Sequence, residues 1–350
     1  MEASTNSYVN TTSAGLMLKN GPLITAVFVI AYLVIFLAGF IGNTLVCLIV
    51  ARNAVMYNVT NCFIVNLAVA DILVSIFCMP ITLVANILEG WPFGLVMCKL
   101  TPVIQGISVA ASIFTLTVIA VDRHNNIVNP LRPRMEYRTA CVSIVIIWAL
   151  AVAIMVPQGV VLQVETYEVK PGLKLNYCDE TGWPTYSYRR AFTCSVFLLT
   201  YLLPLIIISI AYVRIARKVW TRNVPGASEE TPATGNAQAT ISKQKIKVVK
   251  MILVVVITFG VSYLPLHACV LLAEFGAMTQ DQFRILLLYC IPIAHWLAFS
   301  QSSVNPIVYG YYSNNFRRGF RSVMRPTQFC NFGSVEMSAS GPRETDRLRP

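Results

Sequence analysis

Long apolar windows separated by short charged segments dominate the pattern of this chain. Six windows of 22 to 32 residues contain no Asp, Glu, Lys or Arg, and a seventh apolar stretch, 53–88, contains one charge, Asp71. A helix of about 20 apolar residues crosses the ~30 Å hydrocarbon core of a bilayer, where the backbone must satisfy its own hydrogen bonds. The pattern therefore predicts an all-α membrane protein with seven spans. The charge-free windows are 20–51, 100–121, 139–164, 191–213, 251–273 and 285–316.

Composition supports this class and excludes others. Apolar residues make up 56% of the 350 residues, charged residues make up 12%, and the mean hydropathy is +0.63. A soluble surface carries roughly 25–35% charged residues, so this chain is too poor in charge to cover a large water-facing surface. Outer-membrane barrels would show alternating strands of about ten residues, which are absent from the pattern. The net charge of +11 does not require a nucleic-acid partner, because anionic lipid of the inner leaflet attracts basic segments.

The distribution of basic residues predicts the orientation of the bundle. With residues 1–21 outside, the cytoplasmic segments hold 20 of the 27 Lys and Arg residues, as the positive-inside rule requires. We expect an extracellular N-terminal tail over 1–21 and a seven-span domain over 22–312. An amphipathic membrane-surface helix over 313–325 and a disordered cytoplasmic tail over 326–350 are expected to follow. The connection 220–244 contains Pro, Gly, Ser and Thr and is predicted to be a flexible loop.

Short patterns near the two ends of the chain predict three further features. Phe316 and Phe320 recur at helical spacing among arginines, which is typical of an amphipathic helix lying on a membrane. Asn10 begins an Asn-Thr-Thr sequence, a glycosylation acceptor on the predicted outer side. Cys330 lies just beyond the amphipathic helix, where a thiol is either palmitoylated or a free cytoplasmic cysteine.

Polar side chains also lie deep inside the apolar windows, where they are costly and suggest function. Asp71 is the sharpest case. Its carboxylate either joins helices through hydrogen bonds with Asn43 and Asn305, or forms a cation site or switch. Prolines inside the windows free backbone carbonyls and predict kinks. The other polar residues of this set are Asn66, Ser112, Gln301 and Ser302, and the prolines are at positions 157, 204, 265, 292 and 306.

Each predicted span contains a short motif. In chain order these motifs are Gly42-Asn43, Asn66-Leu67-Ala68-Val69-Ala70-Asp71, Asp122-Arg123-His124, Trp148, Pro204 with Tyr212, Phe259 with Leu264-Pro265, and Asn305-Pro306-Ile307-Val308-Tyr309. One such motif alone is weak, but the whole set in order, over about residues 22–325, resembles rhodopsin-type (class A) G-protein-coupled receptors. The resemblance implies a plasma-membrane receptor that couples an outside ligand to a heterotrimeric G protein inside.

The resemblance also implies roles for individual residues. Arg123 would be restrained by an ion pair with Asp122 until activation releases it. A disulfide would join Cys98, at the outer start of the third span, to Cys178 in the outer loop 163–190. An allosteric sodium ion would be the one metal, with no other cofactor. The implied switch residues are Asp122, Arg123, Tyr212, Phe259, Tyr263, Asn305, Pro306 and Tyr309, and the implied sodium ligands are Asp71, Ser112, Gln301, Ser302 and Asn305.

Three positions depart from the family pattern. Tyr263 stands where the family usually has Trp, which retains an aromatic toggle but reduces its volume and adds a hydroxyl. Gln301 replaces the usual Asn near Ser302, and its extra methylene would crowd the sodium site. His124 replaces the usual Tyr or Phe beside Arg123. The first two departures bear on signalling efficiency and on sodium binding.

The ligand class is narrowed by what the spans contain. Residues 285–316 include no Lys, which excludes a retinal Schiff base like that of opsins. Gln105 stands where amine receptors carry an Asp, so a monoamine would lack its counter-ion. Longer stretches resemble the neuropeptide FF receptors and, more broadly, the RFamide and neuropeptide Y-like branch. They include Phe77-Cys78-Met79-Pro80, Gly90-Trp91-Pro92-Phe93 and Ala294-His295-Trp296-Leu297-Ala298-Phe299.

This closer resemblance implies a peptide that ends in Arg-Phe-amide. The arginine would pair with Glu274, and the neutral amide would form hydrogen bonds with polar side chains deeper in the bundle. The phenylalanine would pack among aromatic rings. The implied contacts are Glu274 for the arginine, Thr82, Gln105 and His295 for the amide, and His267 and Trp296 for the phenylalanine.

Several other functions are possible for a chain with seven apolar spans. A receptor for a different amidated peptide of the neuropeptide Y-like kind, or an orphan receptor with weak or constitutive signalling, remains an open alternative. A transporter or channel would need repeats or broken half-helices, and the sequence pattern indicates neither, so this class is disfavoured. An intramembrane enzyme is disfavoured because neither His-Glu-x-x-His nor Gly-x-Ser-x-Gly occurs. The expected partners are an amidated peptide, a G protein of the inhibitory class, arrestin and membrane lipid, without nucleic acid.

Overall fold

The computed structural model describes residues 18–129, 131–222 and 232–323. Within these ranges seven helices are long and apolar enough to cross a membrane, and a short helix follows the last of them. The prediction of an all-α bundle of seven spans with an eighth helix is confirmed. The helices are α1 (Pro22–Ala51), α2 (Val59–Leu73 and Met79–Ile87), α3 (Gly94–Val128), α4 (Tyr137–Val161), α5 (Tyr186–Phe197 and Leu203–Arg222), α6 (Pro232–Phe275), α7 (Gln280–Ile285 and Ile291–Tyr312) and α8 (Asn314–Val323).

Helices α3, α5 and α6 are longer than the charge-free windows from which their spans were predicted. The third window covers 100–121, whereas α3 covers Gly94–Val128. Charged residues are tolerated in the terminal turns because long side chains can reach the headgroup region. The prediction of a loop over 220–244 is wrong for 232–244, since α6 already begins at Pro232, a residue suited to the first helical turn. Asn10, Cys330 and the tail 326–350 lie outside the described residues.

Three wide π-helical turns join the two parts of α2, α5 and α7. They cover Val74–Cys78, Leu198–Leu202 and Leu286–Cys290. Each ends two residues before a proline: Pro80, Pro204 and Pro292 respectively. Proline cannot donate a backbone hydrogen bond and crowds the carbonyl four residues earlier, so a wider turn at this point relieves the clash. Pro157, Pro265 and Pro306 instead lie inside α-helices.

A two-stranded antiparallel hairpin follows α4, in the region that the sequence treated only as a loop. Strand β1 covers Gln163–Lys170 and strand β2 covers Leu173–Asp179. The alternation of apolar and polar residues in β2 and the Pro-Gly pair between the strands were signals for it. Gly172 has a φ of 79°, which favours glycine at this turn. We call this end of the bundle the hairpin end, and the opposite end, where α3 terminates, the Arg123 end.

The hairpin is attached to the bundle at two points. The disulfide between Cys98 and Cys178, with Cα atoms 5.5 Å apart, joins the start of α3 to β2, as the resemblance implied. The backbone N–H of Trp91, between α2 and α3, donates to the carbonyl of Asn176 at 2.6 Å. These two attachments hold the hairpin against the end of the bundle.

The largest apolar cluster packs the Arg123 end. It contains Phe63, Tyr212, Phe259 and Tyr309, which come from four different helices. The ring of Phe316 from α8 is almost completely buried and lies 5.8 Å from the ring of Tyr309. The three arginines of α8 are exposed. The apolar face of α8 thus packs against the bundle, while its basic face points away, which agrees with the amphipathic pattern of the sequence.

Candidate functional site

A cavity of about 630 Å³ lies at the hairpin end of the bundle, between the helices and the hairpin. Four of the six predicted ligand contacts line it, and each comes from a different helix. They are Thr82 of α2, Gln105 of α3, His267 of α6 and His295 of α7. This volume lies in the usual range for a ligand pocket of ~300–1,000 Å³.

Unpartnered polar atoms accompany these side chains. Nδ1 of His295 and Oγ1 of Thr101 are buried and have no hydrogen-bond partner among the described residues. Both residues line the cavity, although Thr101 was not predicted as a contact. Buried polar atoms are normally paired, so these two atoms have unmet hydrogen-bonding capacity beside the cavity.

The other two predicted contacts are placed differently. Glu274 is almost completely buried and does not line the cavity, and its carboxylate is paired with Arg189, which does line the cavity. The two groups are 3.2 Å apart, measured from Nε of Arg189 to Oε2 of Glu274. Trp296 packs beside Tyr32 and Phe299 in a cluster formed by α1, α2, α3 and α7. The structure therefore does not bring Trp296 together with His267.

Charged side chains concentrate where the cavity meets the hairpin. Lys19, Asp179, Glu180 and Arg189 line the cavity from the segment before α1, the end of β2 and the start of α5. None of these four residues was singled out from the sequence. Their signal was the position of Asp179 and Glu180 directly after Cys178, whose disulfide holds them against the bundle.

Lys19 is held against the end of α2 by two hydrogen bonds. Its Nζ donates to the carbonyl of Ala85 at 2.7 Å, and its backbone N–H donates to the carbonyl of Ile87 at 2.9 Å. Burial lowers the pKa of the Lys19 amine below its ordinary value, and the nearby carboxylate of Glu89 opposes this shift. These contacts hold the segment before α1 against the end of α2.

An aromatic pathway leads from the cavity into the core. The ring of His267 lies 4.7 Å from that of Tyr201 and 5.5 Å from that of Phe197. Tyr263 lines the cavity and stacks on Phe259, with ring centroids 4.5 Å apart. Because Phe259 belongs to the core cluster of the Arg123 end, movement of Tyr263 would be felt in that core.

Asp71 accepts two hydrogen bonds from α7. Its Oδ1 accepts from the hydroxyl of Ser302, and its Oδ2 accepts from Nδ2 of Asn305, both at 2.8 Å. Asn43 instead donates to the carbonyls of Gly39 and Ser302, so it joins helices without touching the carboxylate. One sequence interpretation was that Asp71 joins helices through hydrogen bonds with Asn43 and Asn305. The structure shows the hydrogen bond with Asn305 but not the one with Asn43.

The remaining predicted sodium ligands are placed around the same helices. Gln301 donates to Oδ1 of Asn305 at 3.1 Å, and its own Oε1 is buried without a partner among the described residues. Ser112 of α3 is half-buried and makes no hydrogen bond within the described ranges. Carboxylate, hydroxyl and amide oxygens are the donors that a hard cation prefers, so this set fits a small cation.

The Arg123 end contains the predicted ion pair. Nη2 of Arg123 lies 3.3 Å from Oδ2 of Asp122 and also donates to the hydroxyl of Thr60 in α2. The hydroxyls of Tyr212 and Tyr309 are buried and lack a hydrogen-bond partner in the described part of the chain. Arg123 is thus held by α2 and α3, while two free phenolic groups remain on α5 and α7.

A polar chain that the sequence did not predict joins α2, α3 and α4. Nε1 of Trp148 donates to Oδ1 of Asn66, and Nδ2 of Asn66 donates to Oγ1 of Thr115, both at 2.8 Å. Thr115 in turn donates to the carbonyl of Ala111. Trp148 and Asn66 were recognised as motif residues, but only the packed helices show that they bind each other.

Comparison with known proteins agrees with this arrangement. Residues 42–309 match the family described as 7 transmembrane receptor (rhodopsin family). The chain belongs to this receptor family. The receptor is therefore a multi-pass plasma-membrane protein that couples to G proteins, and it is not an enzyme.

The receptor also has close relatives. It is 45% identical to neuropeptide FF receptor 2 of Mus musculus over 315 residues, which are 88% of this chain and 74% of that protein. It is 45% identical to neuropeptide FF receptor 1 of Homo sapiens over 309 residues, which are 86% and 71% of the two chains. The resemblance to neuropeptide FF receptors inferred from short stretches is thus confirmed along most of the receptor.

Proposed function

We propose that this protein is a receptor for a neuropeptide FF-like peptide ending in Arg-Phe-amide and that it activates heterotrimeric G proteins of the inhibitory class. The observation that carries the proposal is the separation of charge in its cavity. Uncharged polar side chains line the walls formed by the helices, and charged side chains line the part beside the hairpin. Such a cavity suits a peptide with a neutral polar terminus preceded by a cation.

The helical wall of the cavity supports recognition of an amide. Thr82 and Gln105 can both donate and accept hydrogen bonds, and His295 has a free ring nitrogen among the described residues. A carboxylate moved into this wall would lose its hydration without gaining an arginine partner there, which costs several kcal/mol. A carboxamide of the same shape avoids that cost.

The part beside the hairpin supports recognition of the preceding arginine. Glu180 lines the cavity, and Glu274 lies directly behind Arg189 with one carboxylate oxygen unpartnered among the described residues. A guanidinium group binds a carboxylate through two parallel hydrogen bonds, and a buried pair of this kind is stronger than an exposed one. The ligand arginine would therefore bind at Glu274.

Signal transmission follows the bundle from one end to the other. We infer that the hairpin end faces outside and that the Arg123 end faces the cytoplasm, as the basic residues predict. Peptide contacts at Tyr263 would bias the packing of Phe259 and release Arg123 from Asp122. The cleft opened in this way would take a helix of the G protein and later arrestin, while the basic face of α8 would lie on anionic lipid.

We also propose that a sodium ion binds at Asp71 and stabilises the inactive arrangement. The acidic oxygen and neighbouring hydroxyl and amide oxygens are suitable ligands, and the unpartnered Oε1 of Gln301 supplies a further one. A cation bound between α2 and α7 would favour whichever arrangement holds these two helices together.

Inhibition of cyclic AMP in transfected cells tests the proposed function. An Arg-Phe-amide peptide should inhibit cyclic AMP accumulation, and its free-acid counterpart should be at least tenfold less potent, because the acid must be desolvated. The variant E274Q should weaken the amide peptide about tenfold or more. A matched control is E168Q, which removes an acidic group on β1 that accepts from Gly172 and does not line the cavity.

The outcomes separate the alternatives. Equal potency of acid and amide would contradict recognition of a neutral terminus. Equal effects of E274Q and E168Q would show that Glu274 is not the arginine partner. Silence toward Arg-Phe-amide peptides in cells with receptor at the surface, together with a response to another amidated peptide, would move the assignment to the neuropeptide Y-like alternative.

A further inference from the structure

Arg189, near the start of α5, lies between two carboxylates at the mouth of the cavity. Its Nε is 3.2 Å from Oε2 of Glu274 on α6 and 3.8 Å from Oε2 of Glu180, just after β2. Both contacts are made by this one nitrogen, and Oε1 of Glu274 has no hydrogen-bond partner among the described residues. The guanidinium fork is therefore not used in its strongest, two-bonded geometry.

The two carboxylates differ in how well their other needs are met. Glu180 also accepts from Nε1 of Trp183 at 3.0 Å and from Nε2 of Gln158 at 3.3 Å. The side chain of Glu274 is only 4% exposed, yet its Oε1 has no partner among the described residues. A buried carboxylate with an unpartnered oxygen would be stabilised by a second cation, or by a cation that binds both of its oxygens.

The neighbouring basic residue is oriented differently. The guanidinium of Arg190 lies 4.6 Å from the ring of Tyr186 and 5.3 Å from that of Phe275. No carboxylate is within ion-pair distance of Arg190 in the described ranges, and it does not line the cavity. Arg189 and Arg190 are thus adjacent and equal in charge, but within the described residues only Arg189 forms ion pairs with Glu180 and Glu274.

We propose that Arg189 is an internal competitor for the arginine of the peptide. In the free receptor it occupies Glu274, and when the peptide arrives the ligand arginine takes Glu274 while Arg189 moves to Glu180. Glu180 is already within 3.8 Å of the same nitrogen, so the transfer leaves no guanidinium unpaired. This inference rests on the proposed function, because it assumes that the ligand carries an arginine at this position.

Competition of this kind reduces affinity and sharpens specificity. A peptide must supply a two-bonded guanidinium to displace the single contact made by Arg189, so a neutral or less well-shaped side chain gains nothing at Glu274. The same contact joins the outer parts of α5 and α6 in the free receptor. Binding therefore breaks a link between two helices whose other ends lie near Arg123.

Competition binding on membranes with a labelled Arg-Phe-amide peptide tests the proposal. The variant R189Q should bind the peptide about tenfold more tightly, because the competitor is removed while both carboxylates remain. The control R190Q, one residue away and equal in charge, should change affinity less than about twofold. A peptide with citrulline in place of arginine keeps the shape without the charge, and R189Q should not improve its binding.

A second variant pair tests the site of competition. In an E274Q background, adding R189Q should give no further gain, since no carboxylate remains for the two arginines to compete for. Unchanged or weaker peptide binding by R189Q would overturn the proposal, and so would an equal gain for the citrulline peptide. A gain from R189Q that persists in E274Q would place the competition elsewhere and also overturn it.

The failure of the proposed function has a different signature. If the wild-type receptor at the cell surface binds no Arg-Phe-amide peptide, both proposals fail. If it binds the peptide and R189Q does not tighten binding, only the competition fails. Thermal unfolding of the ligand-free receptor gives a check on the ion pair itself: the losses in Tm caused by R189Q and E274Q should be less than additive in the double variant.

Discussion

The carboxylate of Asp71 lies in the middle of the bundle, away from water, and its neighbouring side chains supply the hydrogen bonds that it needs. Asp71 is only 5% exposed, and its two oxygens accept from Ser302 and Asn305. An isolated carboxylate in this environment would be strongly destabilised, so its charge needs donors or a cation. The unpartnered Oε1 of Gln301 indicates that the hydrogen bonds of the chain do not satisfy every polar atom here.

Sodium sensitivity tests this interpretation at the level of one residue. Raising sodium chloride to about 0.15 M should lower agonist affinity in the wild-type receptor relative to choline chloride of the same ionic strength. In D71N the difference between the two salts should disappear, because the neutral amide gives a cation no charge to bind. Equal behaviour of the wild-type receptor in both salts would contradict a sodium site.

The acidic residues show why some assignments at this scale could not come from the sequence. Glu274 was singled out as the partner of a ligand arginine, which stays a prediction, and its pairing with Arg189 depends on how α5 and α6 are rotated against each other. Trp296 was expected beside the ligand, whereas the rotation of α7 packs it with Tyr32 of α1. Spacing along one helix shows which residues share a face, and only packing shows what that face meets.

Pairs of helices pack where a small residue faces a rigid one. A Cβ atom added at Gly42 of α1 would lie 2.8 Å from Cγ of Pro306 on α7. A proline ring cannot turn aside as a flexible side chain does, so the helices themselves would have to separate. Two motif residues that the sequence identified separately, one in the first span and one in the seventh, therefore belong to a single contact.

Replacement of Gly42 by alanine should destabilise the receptor by about 1–3 kcal/mol, the usual cost of overpacking. The expected result is a lower Tm for G42A in detergent, together with less receptor at the cell surface. Gly21, just before α1, has nothing within 4 Å of an added Cβ, so G21A is a suitable control. A Tm for G42A equal to that of G21A would show that α1 and α7 can separate without cost.

Local patterns predicted some elements and missed others. The hairpin was recognisable from the Pro-Gly pair and the alternation in β2, although the sequence interpretation did not use that signal. The kinks at Pro204 and Pro292 were predicted, but not that each would follow a π-helical turn. A proline shows that a hydrogen bond is lost, whereas the turn that compensates depends on the neighbouring helices.

Across the whole receptor, packed side chains of the core connect the cavity at the hairpin end with the surroundings of Arg123 at the opposite end. The cavity at the hairpin end is linked by Tyr263 and Phe259 to the cluster that surrounds Tyr212 and Tyr309. At the other end, Arg123 is held by Asp122 and Thr60, while those two tyrosine hydroxyls have no partner in the described chain. We expect activation to replace the contacts of Arg123 with Asp122 and Thr60 by new contacts with the hydroxyls of Tyr212 and Tyr309.

Removal of the restraint on Arg123 should raise signalling without a ligand. The pair between Arg123 and Asp122 is partly exposed, so its contribution is about 0.5–1 kcal/mol, which shifts a two-state equilibrium by roughly two- to fivefold. We expect D122N to raise basal G-protein activation by that factor, measured as nucleotide exchange in membranes with matched receptor amounts. The control E136Q removes an exposed carboxylate at the same end, and an equal rise in both variants would contradict a specific restraint.

The sequence by itself determined the number of spans and the eighth helix, and its resemblance to known receptors implied the family and the disulfide partners. These features depend on composition over about 20 residues or on motifs that stay recognisable in any packing. Only the tertiary structure decided that Arg189 holds Glu274, that Trp148 binds Asn66, and that Trp296 packs in the cluster of Tyr32 and Phe299. Such contacts join residues far apart in the chain, and they depend on the rotation and tilt of whole helices, which the order of residues along one helix does not specify.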